Sequence, residues 1–146
     1  MSGSSALTIL VIDDEVELLG EIVRFLQRRG HKVHAAAAFA GGMDLIDGTI
    51  NPDVLITDVR MPGGNGLDLA RRTRARHPDC RIVIMTGHLD QSQIGPAEEL
   101  GAVAVLFKPF SFGRLLTLVT GTDERRSGRG TTALPLGVAA PAPDAV

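Results

Sequence analysis

Val54-Leu55-Ile56-Thr57-Asp58-Val59-Arg60-Met61-Pro62-Gly63 runs three aliphatic residues and a threonine straight into a carboxylate and then into a Pro-Gly turn. No charged residue alternates with the apolar ones, so the run reads as a strand covered on both faces, an interior strand of a parallel sheet. In such sheets chemistry gathers outside the carboxyl ends of the strands, which would set Asp58 at a solvent-filled crevice and not in the core. Asp also starts turns for purely local reasons, because its side chain bonds nearby backbone. On this stretch alone both readings of Asp58 stand open.

Working outward, the same pattern of strand followed by acid recurs at Leu7–Ile12, which ends in Asp13-Asp14-Glu15. Val16, Leu19, Ile22, Val23 and Leu26 then fall at helical spacing, with Arg28 and Arg29 suited to the negative helix end and Gly30 to its stop. Lys32–Ala36 is a short second strand. Phe39 to about Thr49 reads as a helix through Phe39, Met43, Leu45 and Ile46, although Gly41-Gly42 disfavours it. Beyond the central strand, Leu67, Leu69, Ala70 and Thr73 form the inner side of a helix that His77-Pro78 ends. Its outer side carries Asp68, Arg71, Arg72, Arg74 and Arg76, without interleaved aromatics, which reads as a solvated face and not as a nucleic-acid patch.

Arg81–Gly87 is the fourth strand, ending at the hydroxyl of Thr86. Gly95-Pro96 interrupts the next helical place, so the expectation is an extended loop and then little more than one turn beginning near Pro96. Ala102–Phe107 is the fifth strand and runs into Lys108-Pro109. Ser111 can cap a last helix with Phe112, Leu115, Leu116 and Val119 inward. Five strands alternating with five helical segments specify an α/β fold, a doubly wound five-stranded parallel sheet of order 2-1-3-4-5.

The 146 residues suit one domain with a sizeable core, and 44% apolar with 22% charged residues is ordinary globular composition. A formal net charge of −2 offers nucleic acid or an anionic membrane no attraction. Cys80, the lone cysteine, reads as a structural thiol. Neither a secretory signal nor a membrane span is legible, so a cytoplasmic protein is expected. Residues 1–5 are expected to be a disordered N-terminus, 6–120 the folded domain, and 121–146, rich in Gly, Pro, Ala, Arg and Thr, a disordered tail with no output domain.

In the expected strand order the groups following the first, third, fourth and fifth strands are neighbours: Asp13-Asp14, Asp58, Thr86 and Lys108. Three carboxylates brought together raise one another's pKa unless a cation neutralises them. Mg²⁺ takes oxygen ligands, one or two of them carboxylates, and keeps several waters. Asp14, Asp58 and the backbone carbonyl of Arg60 are the natural direct ligands, with Asp13 on a metal-bound water. Phosphoryl transfer needs a nucleophile, charge neutralisation and alignment, and Asp58, the cation, Lys108 and Thr86 fill those roles. Singly, each signal has a plainer account, such as an N-cap for Asp13-Asp14; together, in order and each at a strand end, they do not.

Over about residues 6–120 the chain resembles the receiver domains of bacterial two-component response regulators, which have a flavodoxin-like fold. Val11-Ile12-Asp13-Asp14-Glu15, Asp58 to Gly63, Gly66-Leu67, Met85-Thr86-Gly87 and Phe107-Lys108-Pro109-Phe110 carry the resemblance. It implies that Asp58 accepts a phosphoryl group from a histidine kinase's phosphohistidine, that Asp13 and Asp14 bind Mg²⁺, and that Thr86 and Lys108 contact the phosphoryl group. A cis peptide before Pro109 is implied as well. The implied partners are a sensor histidine kinase or phosphotransfer protein and a downstream protein target, with a homodimer left open and no direct contact to nucleic acid or membrane. The implied role is a signalling switch with intrinsic autophosphorylation and autodephosphorylation, not an enzyme turning over a free metabolite.

Val105 stands where this family commonly has an aromatic residue that swings inward on activation. A valine has no ring to turn, so the expectation is a switch that orders or shifts the Leu89–Leu100 segment around Gly95-Pro96. His88 and Arg60 are candidates for tuning phosphoryl lifetime, against readings as ordinary loop residues. Two rivals remain: an interaction module that is never phosphorylated, and an aspartyl-phosphate hydrolase. The hydrolase would want an acid at the position of Arg60.

Overall fold

A computed structural model describes residues 6–87, 94–99, 101–102 and 104–121. The expectations for the N-terminus, for the tail beyond Gly121, for His88 and Val103, and for most of the Leu89–Leu100 segment lie outside those residues. Strands β1 (Thr8–Ile12), β2 (Lys32–Ala36), β3 (Val54–Asp58), β6 (Arg81–Thr86) and β7 (Ala104–Phe107) form one parallel sheet in the order β2-β1-β3-β6-β7. Taken in sequence, these five strands stand in the expected order 2-1-3-4-5.

Strand alternation explains the unbroken apolar runs, because each strand feeds two separate cores. Leu10 and Ile12, Leu55, Ile82 and Ile84, and Val105 and Phe107 point to one side, where they meet Ile46 of α2 (Phe39–Asp47), Leu69 and Ala70 of α3 (Gly66–Arg76) and Ala97 of α4 (Ile94–Glu99). Ile9 and Val11, Val54 and Ile56, Val83 and Met85, and Leu106 point to the other. There they meet Leu19, Ile22 and Leu26 of α1 (Val16–Arg28) and Leu115 and Val119 of α5 (Phe112–Thr120). Cys80 is buried, and burial pushes its thiol up to about 12, as suits a structural cysteine.

The capping expectations are met where the sequence carried a specific residue. The Ser111 hydroxyl accepts the Arg114 N–H at 3.0 Å and starts α5. Helix α3 stops at Arg76, with His77 as its C-cap before Pro78. Gly42, counted against α2, is buried where a Cβ would lie 3.1 Å from Ile12 and 3.2 Å from Leu69. The missing side chain therefore lets α2 pack close to both β1 and α3.

Two local expectations are corrected, at Val16 and after Asp58. Val16 is 67% exposed, because α1 begins beyond the end of β1 and the first residue of its apolar stripe overhangs the sheet. Helix α4, Ile94–Glu99, is the short helix expected near Pro96, and a proline in the first turn is tolerated because N–H groups there have no helical acceptor. After Asp58 the chain forms a small hairpin, β4 (Arg60–Met61) with β5 (Gly64–Asn65), in place of a plain loop. Its turn is Pro62-Gly63, with Gly63 at φ +90°, the left-handed value that glycine supplies after proline in a type II turn.

Gly66 closes this segment. Its N–H donates to the Val59 carbonyl at 2.7 Å, and a Cβ there would overlap the Asp58 carbonyl oxygen. Gly66→Ala should therefore lower stability by about 3 kcal/mol, the upper range for forced overpacking, because backbone cannot yield as a side chain can. Gly113→Ala in α5, where a Cβ meets nothing within 4 Å, should raise stability by about 0.5–1 kcal/mol. Denaturation followed by circular dichroism checks both signs.

Candidate functional site

Parallel register sets the depth of each strand end. Ile12 pairs with Thr57, which brings Asp13 level with Asp58; Asp58 pairs with Met85, and Thr86 pairs with Phe107. Thr86 thus stands one residue beyond Asp58, and Lys108 one beyond Thr86. A lysine at that outermost position has the reach to turn back across the sheet edge, and it does. The Lys108 ammonium lies 3.1 Å from Asp58 Oδ2, 3.0 Å from Asp13 Oδ2 and 2.6 Å from Glu15 Oε1.

The acids are held from behind. Asp13 Oδ1 accepts the Glu15 N–H at 2.9 Å, and Asp58 Oδ1 accepts the Val59 N–H at 2.8 Å. The Val59 N–H also points to the Met85 carbonyl at 3.1 Å, and the Thr57 hydroxyl donates to the Asp58 carbonyl at 2.9 Å. Thr86 is buried, and the Lys108 N–H donates to its carbonyl at 2.8 Å. The Lys108–Pro109 peptide is cis, as the resemblance implied.

Asp14, Asp58, Arg60, Thr86 and Lys108 line one cavity of about 700 Å³, which extends past Leu18 and Phe110. Asp13, fully buried, does not line it and meets the hollow through Lys108. Arg60 lies on β4 two residues past Asp58 and lines the hollow. Glu15 was not assigned a role from sequence. It follows the acid pair directly, but only the fold brings Lys108 over it.

Electrostatics leave this hollow short of positive charge. Among the described residues, Asp13, Asp14, Glu15, Glu21 and Asp58 set five carboxylates in and beside it against the Lys108 ammonium and the Arg60 guanidinium. Burial pushes the Asp58 carboxyl up to about 6; Lys108 opposes that, and the nearby Asp13 charge adds to it. Burial alone would lower the Lys108 pKa, but its bonds to Glu15 and Asp13 and the charges of Asp58 and Asp13 raise it, so it stays an ammonium. Carboxylate oxygens of Asp13, Asp14 and Asp58 all lie within 4.8 Å of one another. An all-oxygen donor set with uncompensated negative charge fits a hard divalent cation.

The family pattern described as the response regulator receiver domain matches residues 9–120. The chain belongs to that family. Relatives of this receiver include the DNA-binding transcriptional regulator NtrC of Klebsiella pneumoniae, 34% identical over 75% of this chain and 23% of the relative. The photosynthetic apparatus regulatory protein RegA of Cereibacter sphaeroides is 32% identical over 70% of this chain and 55% of its own length. The receiver thus spans between about a quarter and about half of these relatives. Among solved structures, a receiver domain protein from Clostridium thermocellum is 32% identical with a TM-score of 0.73, covering 83% of this chain and 97% of that one. A response regulator from Burkholderia pseudomallei, solved with a phosphorylated aspartic acid, calcium ion and citrate, is 28% identical at a TM-score of 0.73. That match covers 83% of this chain and 71% of the other. No helix among the described residues of this receiver is long and apolar enough to cross a membrane.

The charge imbalance gives single substitutions opposite signs. Because the folded-state pKa of Asp58 is raised, folding takes up a proton there between about pH 4 and pH 6, and its contribution to stability falls as pH rises through that window. Without divalent cations, Asp58→Asn should melt above the wild type at pH 7, with the gap shrinking toward pH 4. Lys108→Met should melt below it. Calorimetric scans at the two pH values give both readings.

Proposed function

We propose that this receiver is a phospho-acceptor switch in which Asp58 takes a phosphoryl group from the phosphohistidine of a sensor histidine kinase or phosphotransfer protein. The observation that carries it is the convergence of Asp13, Asp14, Asp58 and Lys108 from three strand ends on one hollow, with Thr86 at its wall. An oxygen of the Asp58 carboxylate attacks phosphorus; as that O–P bond forms, the P–N bond of the donor breaks and its electron pair returns to the imidazole. Lys108 supplies an ammonium beside Asp58 Oδ2, and Thr86, in the wall of the hollow, would take a further phosphoryl oxygen through its hydroxyl. Water later attacks the same phosphorus, releasing phosphate and restoring the carboxylate.

Asp14, Asp58 and the backbone carbonyl of Arg60 would hold Mg²⁺, with Asp13 on a metal-bound water. When bound, the cation supplies charge neutralisation for carboxylate and phosphoryl oxygens that repel one another. The protein then acts as a cytoplasmic signalling switch and not as an enzyme on a free metabolite, passing its state to a downstream protein through contact. The phosphorylated aspartic acid in the Burkholderia pseudomallei relative and the position of Arg60, where a hydrolase would want an acid, support this reading over its rivals.

Incubation with acetyl phosphate and Mg²⁺, read by intact mass, should give a single phosphoryl adduct that Asp58→Asn abolishes. Lys108→Ala should slow its formation by about 100-fold, the usual loss on removing one donor to developing charge. An adduct that persists in Asp58→Asn would contradict the assignment.

A further inference from the structure

An ammonium has three N–H donors, and in Lys108 all three are taken: by Glu15, Asp13 and Asp58. Before the O–P bond forms, while Asp58 is still a carboxylate, a phosphoryl oxygen can gain a bond from Lys108 only by displacing one of those carboxylates. Two of them are poor candidates to leave. Asp13 and Asp58 are buried, and each has its second oxygen fixed by a backbone N–H, at 2.9 Å and 2.8 Å.

Glu15 differs on every count. Its side chain is 59% exposed, it does not cap α1 although it occupies the N-cap position, and it can turn into water at small cost. Its contact with Lys108, at 2.6 Å, is also the shortest of the three. We infer that Glu15 is a positioning residue that occupies Lys108 in the unphosphorylated state and must be displaced when a phosphoryl group arrives on Asp58. Glu15 acts through Lys108, as an internal competitor that slows acceptance of the phosphoryl group and shortens its lifetime. This inference rests on the phospho-acceptor reading of Asp58.

The test uses the full chain, with acetyl phosphate as donor and intact mass as readout, across a Mg²⁺ titration. Glu15→Gln keeps the size and removes the charge; Glu15→Asp keeps the charge and shortens the reach. Both should raise the limiting rate at saturating Mg²⁺ by about two- to five-fold, the scale of a half-exposed ion pair, and lengthen adduct lifetime by a similar factor. The melting temperature, which a purely structural role would move, should stay within a degree or two of wild type.

A limiting rate and lifetime unchanged in both variants would overturn the inference. So would a change confined to the Mg²⁺ half-saturation, or one seen in Gln but not in Asp, since either would mean general charge and not contact with Lys108. Absence of any adduct on the wild-type chain is a separate outcome and would instead sink the phospho-acceptor reading itself.

Discussion

The reach of one lysine from the outermost strand across to Asp58 and Asp13 is the interaction on which the site depends. Bringing carboxylates together at a sheet edge is unfavourable, and the protein offsets part of the repulsion with an ammonium supplied from the far end of the chain. The compensation is incomplete in charge, since the Lys108 ammonium and the Arg60 guanidinium stand against five carboxylates in and beside the hollow among the described residues. A site balanced by protein groups alone would have little affinity for a divalent cation; a site with no lysine would hold its acids in mutual repulsion.

Everything else in the fold serves to place those groups. Apolar strands with a core on each side fix the register, and the register staggers Asp58, Thr86 and Lys108 by one residue each along the edge. Gly66 lets α3 begin against the backbone of Asp58, and the Pro62-Gly63 hairpin returns the chain for that contact. Aromatic packing continues the hollow on the α1 side, where Phe112 meets Phe25 edge-on at 5.2 Å and Phe110 at 6.2 Å.

Much of this was legible in the letters. Continuous apolar runs marked four strands of the sheet, because burial on both faces leaves no polar alternation to read, while the edge strand Lys32–Ala36 was legible only as a short, weaker run; the acids, hydroxyl and lysine at the strand ends pointed to the candidate site. What escaped was set by tertiary context. The glycines of α2 look like helix breakers until the close approach of Ile12 and Leu69 to Gly42 is known. Val16 fits the helical stripe, but periodicity does not say where the sheet stops beneath it. The β4–β5 hairpin is two residues on each side, too short for any alternation, and the pairing of Glu15 with Lys108 spans 93 positions in sequence. Val105 is fully buried in the same core cluster as Ala97 of α4, an aliphatic residue at the position where the resemblance implied an aromatic ring.

The central claim is that residues from separate strand ends form one cation-binding hollow. Titrating isotope-labelled protein with Mg²⁺ and following backbone amide resonances tests it residue by residue. The account predicts coincident, saturable shifts at Asp13, Asp14, Asp58, Arg60 and Lys108, with one common dissociation constant. Shifts confined to Asp13 and Asp14, with Asp58 and Lys108 unmoved, would contradict it.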